Sequence, residues 1–211
     1  MATVSPTRTE LLARRARIAL AEQGHELLEA KRSALMREFN RVGAEGLRRM
    51  DVLDRRAADA AAALARAVAI DGPETVASAA LAAAGELDTP MGLRRVAGVD
   101  LVGTDPEPAA RPLAARGYAS VASTARIDRA AALHEAVVDL LLPSAVAERT
   151  LRRLAIEIAA TTRRMNALEH VVLPRLGRER DRIELVLEER EREDATRLRQ
   201  AKRRRETARA R

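Results

Sequence analysis

Apolar residues recur along the first third of the chain at helical spacing. Leu11, Ile18, His25, Arg32 and Phe39 stand seven apart, and Ala21, Leu28, Leu35 and Val42 form a companion row. Both rows fall on one side of a helix, as in a heptad stripe. Between residues 7 and 70 there is no proline, and Gly24, Gly43 and Gly46 stand singly, so nothing breaks that helix. Thr7 and Glu10 have the spacing of a capping box, with Pro6 just outside, which sets its start. A helix of about sixty residues is roughly 90 Å long at 1.5 Å per residue. Propensity alone holds it only marginally, so it needs a partner along its length. His25 and Arg32 place polar groups in the seam. Beyond Val42 the pattern is expected to slip to Leu47, Met50, Leu53, Ala57 and Leu64, as in a gently wound hairpin rather than a strict zipper.

The partner is predicted at the other end of the chain. Leu151, Ile158, Met165 and Val172 are again seven apart, with Leu154 and Leu168 interleaved, and Leu176, Ile183 and Val186 carry the stripe toward Leu198. Pro174 removes one backbone hydrogen bond and is expected to bend this helix. Between the two helices the texture changes: Gly72, Pro73, Pro90, Gly92, Gly98, Gly103, Pro106, Pro108, Pro112 and Gly117 crowd into a short stretch. A short helix over 77–87, a strand pair over 93–102 around Gly98, and a return to helix over 127–142 are predicted there, with Pro143 marking a turn or kink. The expected fold is all-α: a long antiparallel two-helix coiled-coil hairpin with a small central head that has room for a β-hairpin. Its expected divisions are an N-terminal coiled-coil helix (1–70), the head (71–142), and a C-terminal coiled-coil helix with a basic tail (143–211). The termini are then expected side by side, giving a rod with a knob.

Composition supports thin helical packing over a thick core. Phe39 and Tyr118 are the only aromatics, and Ala, Leu, Arg and Glu dominate. Cysteine is absent, which removes disulfides and thiolate metal sites. No stretch reaches the roughly 18 uncharged apolar residues of a membrane span, and the first residues carry no signal-peptide pattern. Arginines near the start resemble a transit peptide, but Glu10, Glu22 and Glu26 lie in the same helical pattern. The net charge is +7. Eight basic residues (Arg197, Arg199, Lys202, Arg203, Arg204, Arg205, Arg209, Arg211) against Glu206 account for all of it, leaving 1–196 balanced.

The chemistry of a catalyst is not evident. His25, His134 and His170 lack metal-ligand spacing, and no Walker, dinucleotide-binding or nucleophile-elbow motif occurs. The reading is therefore of no enzyme, with no catalytic, cofactor-binding or metal residues and no cofactor. The basic tail keeps open a nucleic-acid-binding coiled coil, and amphipathic helices keep open a membrane-associated helical hairpin.

Two blocks go beyond generic coiled coil. One is Pro6-Thr-Arg-Thr-Glu-Leu-Leu12, followed by Gly24-His-Glu-Leu-Leu28 and Lys31-Arg32; the other is Arg163-Arg-Met-Asn-Ala-Leu-Glu-His170 running into Val171-Val-Leu-Pro-Arg-Leu176, followed by Leu187-Glu-Glu-Arg-Glu-Arg-Glu193. They resemble the two ends of the D subunit of the V/A-type ATPases and ATP synthases, and Met91-Gly-Leu-Arg-Arg-Val-Ala-Gly-Val99 and Arg116-Gly-Tyr118 agree. The resemblance implies a central-stalk rotor protein coupling ATP hydrolysis or synthesis to proton or sodium transport. Implied partners are the catalytic A and regulatory B subunits of the hexameric ring, the F subunit and the socket subunit of the membrane rotor, with no nucleic acid and no direct membrane span. The implied location is cytoplasmic, peripheral to the cell membrane. The same resemblance implies interface roles for Pro6, Thr7, Arg8, Gly24, His25, Lys31, Arg32, Arg163, Arg164, Asn166 and Pro174.

Overall fold

The computed structural model describes residues 6–83, 85, 87–118 and 123–209, with side chains up to Glu206. Arg211, counted above in the basic tail, lies outside the described residues. Helix α1 is continuous over Arg8–Asp71. Thr7 caps it through its Oγ1, which accepts the Glu10 backbone N–H at 3.2 Å. The Glu10 side chain turns instead to Arg14 at 2.6 Å, so only half of the predicted capping box forms. Gly72, at φ 85, separates α1 from α2 (Pro73–Ala82), which ends earlier than predicted. Strands β1 (Met91–Val96) and β2 (Val99–Thr104) form one antiparallel sheet with Val96 opposite Val99, the predicted strand pair. Ala97 and Gly98 both have positive φ, the backbone of a tight two-residue hairpin turn.

A 3-10 turn at Leu113–Ala115 precedes α3 (Ala125–Ala167). Pro143 lies inside α3 and does not end it, so the helix continues where a turn or kink was expected to mark a boundary. Proline removes the N–H that would reach residue 139, yet the neighbouring turn is held by Ser144 Oγ donating to the Leu140 carbonyl at 2.7 Å. After α3 comes a π-helical turn, Leu168–Val172, and then α4 (Leu173–Arg209). This turn stands where Pro174 predicted a bend. The Leu173 N–H reaches back to the Leu168 carbonyl, which inserts one extra residue just before the proline. The fold is thus all-α, long helices in an antiparallel hairpin with a small head holding a β-hairpin.

The described residues divide into two compact units, Met1–Arg32 with Ala159–Arg211, and Ser33–Ile158. In the first, Arg8 meets Glu191, Arg15 meets Glu184 and His25 meets Glu169, so α1 advances as its partner recedes. Met165, Leu176 and Ile183 are its buried apolar residues. In the second, Leu35, Val99, Leu101 and Leu154 form a core, with Phe39, Val96, Ala97 and Ile158 against it. Each large aliphatic chain buried there contributes about 2 kcal/mol. The hairpin is therefore seated on both α1 and α3. A second cluster joins Ala67, Ala79 and Ile127, flanked by Val76 and Tyr118.

The heptad register of α1 does not slip. Leu53, Ala60 and Ala67 are buried, and they continue the row of Leu11 to Phe39 through Gly46. Leu47 and Met50, expected in the seam, are exposed, as are Ala57 and Leu64. Leu53 is in the seam as expected; beyond it small residues hold the seam, and larger apolar ones lie on the flank.

Counted through the π turn, the helical stretch Ala125–Glu206 holds a window of mean hydropathy 1.4, apolar enough by composition to cross a membrane. The apolar run over residues 130–147 has two charged members, Glu135 and Asp139. Both are occupied within the head: Asp139 accepts the Ala109 N–H at 2.6 Å and Glu135 the Arg111 N–H at 3.3 Å. Two carboxylates on one helix face thereby satisfy an extended segment that has no strand partner.

Candidate functional site

In the unit formed by the two end segments, the residues marked by resemblance are dispersed. Pro6, Thr7 and Arg8 stand at the start of α1: the Pro6 carbonyl accepts from Arg190 Nη1 at 3.1 Å, and Arg8 pairs with Glu191 at 2.6 Å on the open surface. Such exposed pairs add little stability. Gly24 and His25 stand beside the π turn. A Cβ at Gly24 would lie 3.8 Å from Leu168 Cδ1, an ordinary contact, and His25 Nε2 lies 3.7 Å from Glu169. Lys31 and Arg32 are half-buried, whereas Arg163, Arg164, Asn166 and Pro174 are exposed. The structure therefore brings Gly24, His25, Leu168 and Glu169 together and leaves Asn166 outside the seam.

Two polar seam members carry no mark from sequence. Arg14 is 7% exposed and occupies the companion row, seven before Ala21. Its Nε donates to Glu179 at 2.7 Å, and Glu10 lies 2.6 Å from its Nη1, off the hydrogen-bonding direction. Arg14 is buried but the Glu179 side chain is about a third open to solvent, so water screens the pair and losing it costs less than breaking a fully buried one. Thr161 is fully buried in the row of Leu154 and Leu168, and its hydroxyl has no hydrogen-bond partner.

The head has its own polar network. Arg116, also buried, donates from Nη2 to Glu135 at 2.8 Å, from Nε at 3.1 Å, and from Nη1 to the Asp128 carbonyl at 3.3 Å. Burial pushes the Glu135 carboxyl up, but Arg116 and the Arg111 N–H together hold it below the usual range. Tyr118 donates to Asp128 at 3.0 Å, and burial followed by that bond raises its phenol. Beside these groups lies a cavity of about 590 Å³ walled by Leu64, Ala67, Val76, Ala79 and Ile127, with Glu135 already committed to its arginine. On the β-hairpin, Arg94 reaches Glu38 of α1, and Arg41 chelates the same carboxylate with bonds at 2.7 and 2.9 Å. Arg41 and then Arg94 hold Glu38 at about 2, against the cost of partial burial. Asp71, bonded to Arg126 at 2.7 Å and Thr124 at 2.9 Å, is likewise lowered. These networks fix backbone segments to one another; their carboxylates are held as anions by arginine, a poor arrangement for proton transfer.

Sequence comparison supplies what the geometry does not. A family model described as the D subunit of ATP synthase matches residues 10–203. Over 199 residues the chain is 39% identical to the A-type ATP synthase D subunit of Thermococcus kodakarensis, covering 94% of this chain and 93% of that protein. The A-type ATP synthase D subunit of Archaeoglobus fulgidus is 36% identical over 205 residues, 96% and 97% of the two chains. The V-type ATP synthase D subunit of Anaeromyxobacter dehalogenans is 41% identical over 202 residues, 94% and 95% of the two.

Proposed function

The chain belongs to the family of ATP synthase D subunits, and from that premise we propose that it is the central-stalk rotor component of a V/A-type complex. In this reading the chain performs no bond chemistry. It turns inside a ring of catalytic A and regulatory B subunits and passes torque, through the F subunit and the socket subunit, to a membrane rotor that moves protons or sodium ions. Its place is cytoplasmic and peripheral to the membrane.

The observation that carries this reading is family likeness across the whole helical frame, joined to the antiparallel pairing found within each unit. A paired helix resists twisting because its seam must shear before it unwinds. The flank of α1 also suits a sliding contact. Leu12, Leu20 and Leu27 are single exposed aliphatics set among charges, and the described surface has no aromatic anchor that would bind one orientation tightly.

The test is purification of the tagged, full-length chain from gentle extracts. Two ring subunits, a small companion and a socket protein are expected to come with it, along with ATPase activity. Recovery of the chain without them would contradict the reading.

A further inference from the structure

The cavity in the head has a polarity that the rotor reading does not use. Its floor is apolar: Ala67 of α1, Ala79 of α2, and Ile127 and Ala130 of α3 are buried, and Leu64 and Val76 stand on the same wall. Alanine is what leaves the space. Side chains this short do not fill the gap between three helices, and a void of about 590 Å³ forfeits the contacts that larger residues would make. That volume falls within the range of small-molecule sites, about 300–1,000 Å³.

The exposed side of the cavity is anionic. Asp88 and Glu107 line it, are open to solvent, and have no ion-pair or hydrogen-bond partner among the described residues. His134, also exposed, lies 2.8 Å through Nδ1 from the Ala130 carbonyl. A carbonyl only accepts, so Nδ1 carries the proton and Nε2 is left as an acceptor. The strong donors of the wall are turned to the head itself: Arg111 gives Nη2 to the Ala83 carbonyl at 2.9 Å and pairs with Glu135, while Tyr118 gives its hydroxyl to Asp128. An anion would meet free carboxylates here and an arginine already engaged. A cationic donor meets acceptors with nothing else to hold.

We propose that this cavity binds a small apolar molecule carrying one ammonium group, with its apolar body against the alanine floor and its charge at the exposed side among Asp88, Glu107 and His134. Volume sets the size of the body, the buried floor its polarity, and the free acceptors its charge. The site belongs to the head alone, so it is independent of whether the chain turns within a ring.

Tyr118 supplies the readout, because it is the only tyrosine of the chain and lies on the cavity wall. The full-length chain, labelled in its tyrosine ring, would be titrated with tryptamine at about 0.05 M salt and followed by nuclear magnetic resonance. Tryptamine is expected to shift the Tyr118 signals saturably. Tryptophol, which keeps the indole body without the charge, should bind roughly tenfold more weakly, and indole acetate should not bind. The double variant D88N with E107Q alters exposed groups that hold nothing else in place. It should weaken tryptamine roughly tenfold and leave tryptophol unchanged, with the difference narrowing at about 0.5 M salt. Ala131→Phe, which fills the space from a half-buried position of α3, should abolish binding while the chain keeps its helical circular dichroism. Tyr118 signals that do not move at millimolar tryptamine overturn the site. Equal affinity for the amine, the alcohol and the acid overturns it as well, as does a double variant that binds tryptamine as the native chain does. Binding by the free chain that disappears in the assembled complex overturns the small-molecule ligand and gives the space to a side chain of a neighbouring subunit.

Discussion

Gly117 sits at φ +83, and a Cβ built on it would collide with the carbonyl oxygen of Ala82. The turn between Arg116 and Tyr118 therefore admits no side chain, and Gly117→Ala is expected to destabilise the head by about 2–4 kcal/mol, read as a fall in melting temperature. Thr161 presents the opposite case. Its buried hydroxyl lacks a partner, so Thr161→Val keeps the shape, removes the desolvated group and should raise stability by about 1 kcal/mol in denaturant titration. Glu38 is a third. Because its folded value is about 2 against an ordinary 4.5, its contribution is complete above about 4.5 and is lost as pH falls through about 2. Thermal stability of the native chain should thus drop over that acid window more than that of Glu38→Gln, and the variant should be weaker at neutral pH by on the order of 2 kcal/mol. Parallel melting curves for the two chains would contradict that linkage. The roles of Gly117 and Thr161 depend on what distant segments place beside them and could not be read from sequence; Glu38 has a local partner in Arg41, three residues on, and a distant one in Arg94.

Among the elements, the π turn decides how α4 meets α1. The seam row runs Leu154, Thr161, Leu168 in steps of seven and then takes one step of eight to Leu176, before Ile183. The extra residue is what the π turn absorbs, so Leu176 and Ile183 stay buried. That longer step was present in the sequence, beside Pro174, where a bend was the simpler expectation. Inserting one alanine after the exposed Val171 lengthens the step to nine and should rotate everything after it by about 100°, expelling both residues from the seam at a cost of about 3–5 kcal/mol. Deleting Val171 instead restores a step of seven and should leave them buried. Pro174→Ala, at an exposed position, should change stability by less than about 1 kcal/mol. An insertion as mild as the proline substitution would show that register is not set here. In α1 the row from Leu11 to Phe39 was legible, yet its continuation through Gly46, Ala60 and Ala67 was not, because alanine and glycine carry no hydrophobic contrast against an alanine-rich background. Arg14 escaped for the same reason in reverse: it stands on the row but has the wrong chemistry to be chosen for it.

For the whole molecule, the all-helical frame and the strand pair followed from periodicity and from where glycine and proline cluster, whereas the pairing of Arg116 with Glu135 and of Arg94 with Glu38 had no sequence signal. The residues marked by resemblance form no single patch: Gly24 and His25 face the π turn while Arg163, Arg164 and Asn166 are exposed. A rotor that touches many surfaces in turn is consistent with such dispersal. The chain has no cysteine, so one introduced at an exposed position of α1 will be the only thiol it offers. With Leu27→Cys linked by a disulfide to a cysteine on the facing ring subunit, ATP hydrolysis by the assembled complex should stop, and reduction should restore it. Undiminished turnover in the fully cross-linked complex would mean that the chain does not rotate within the ring.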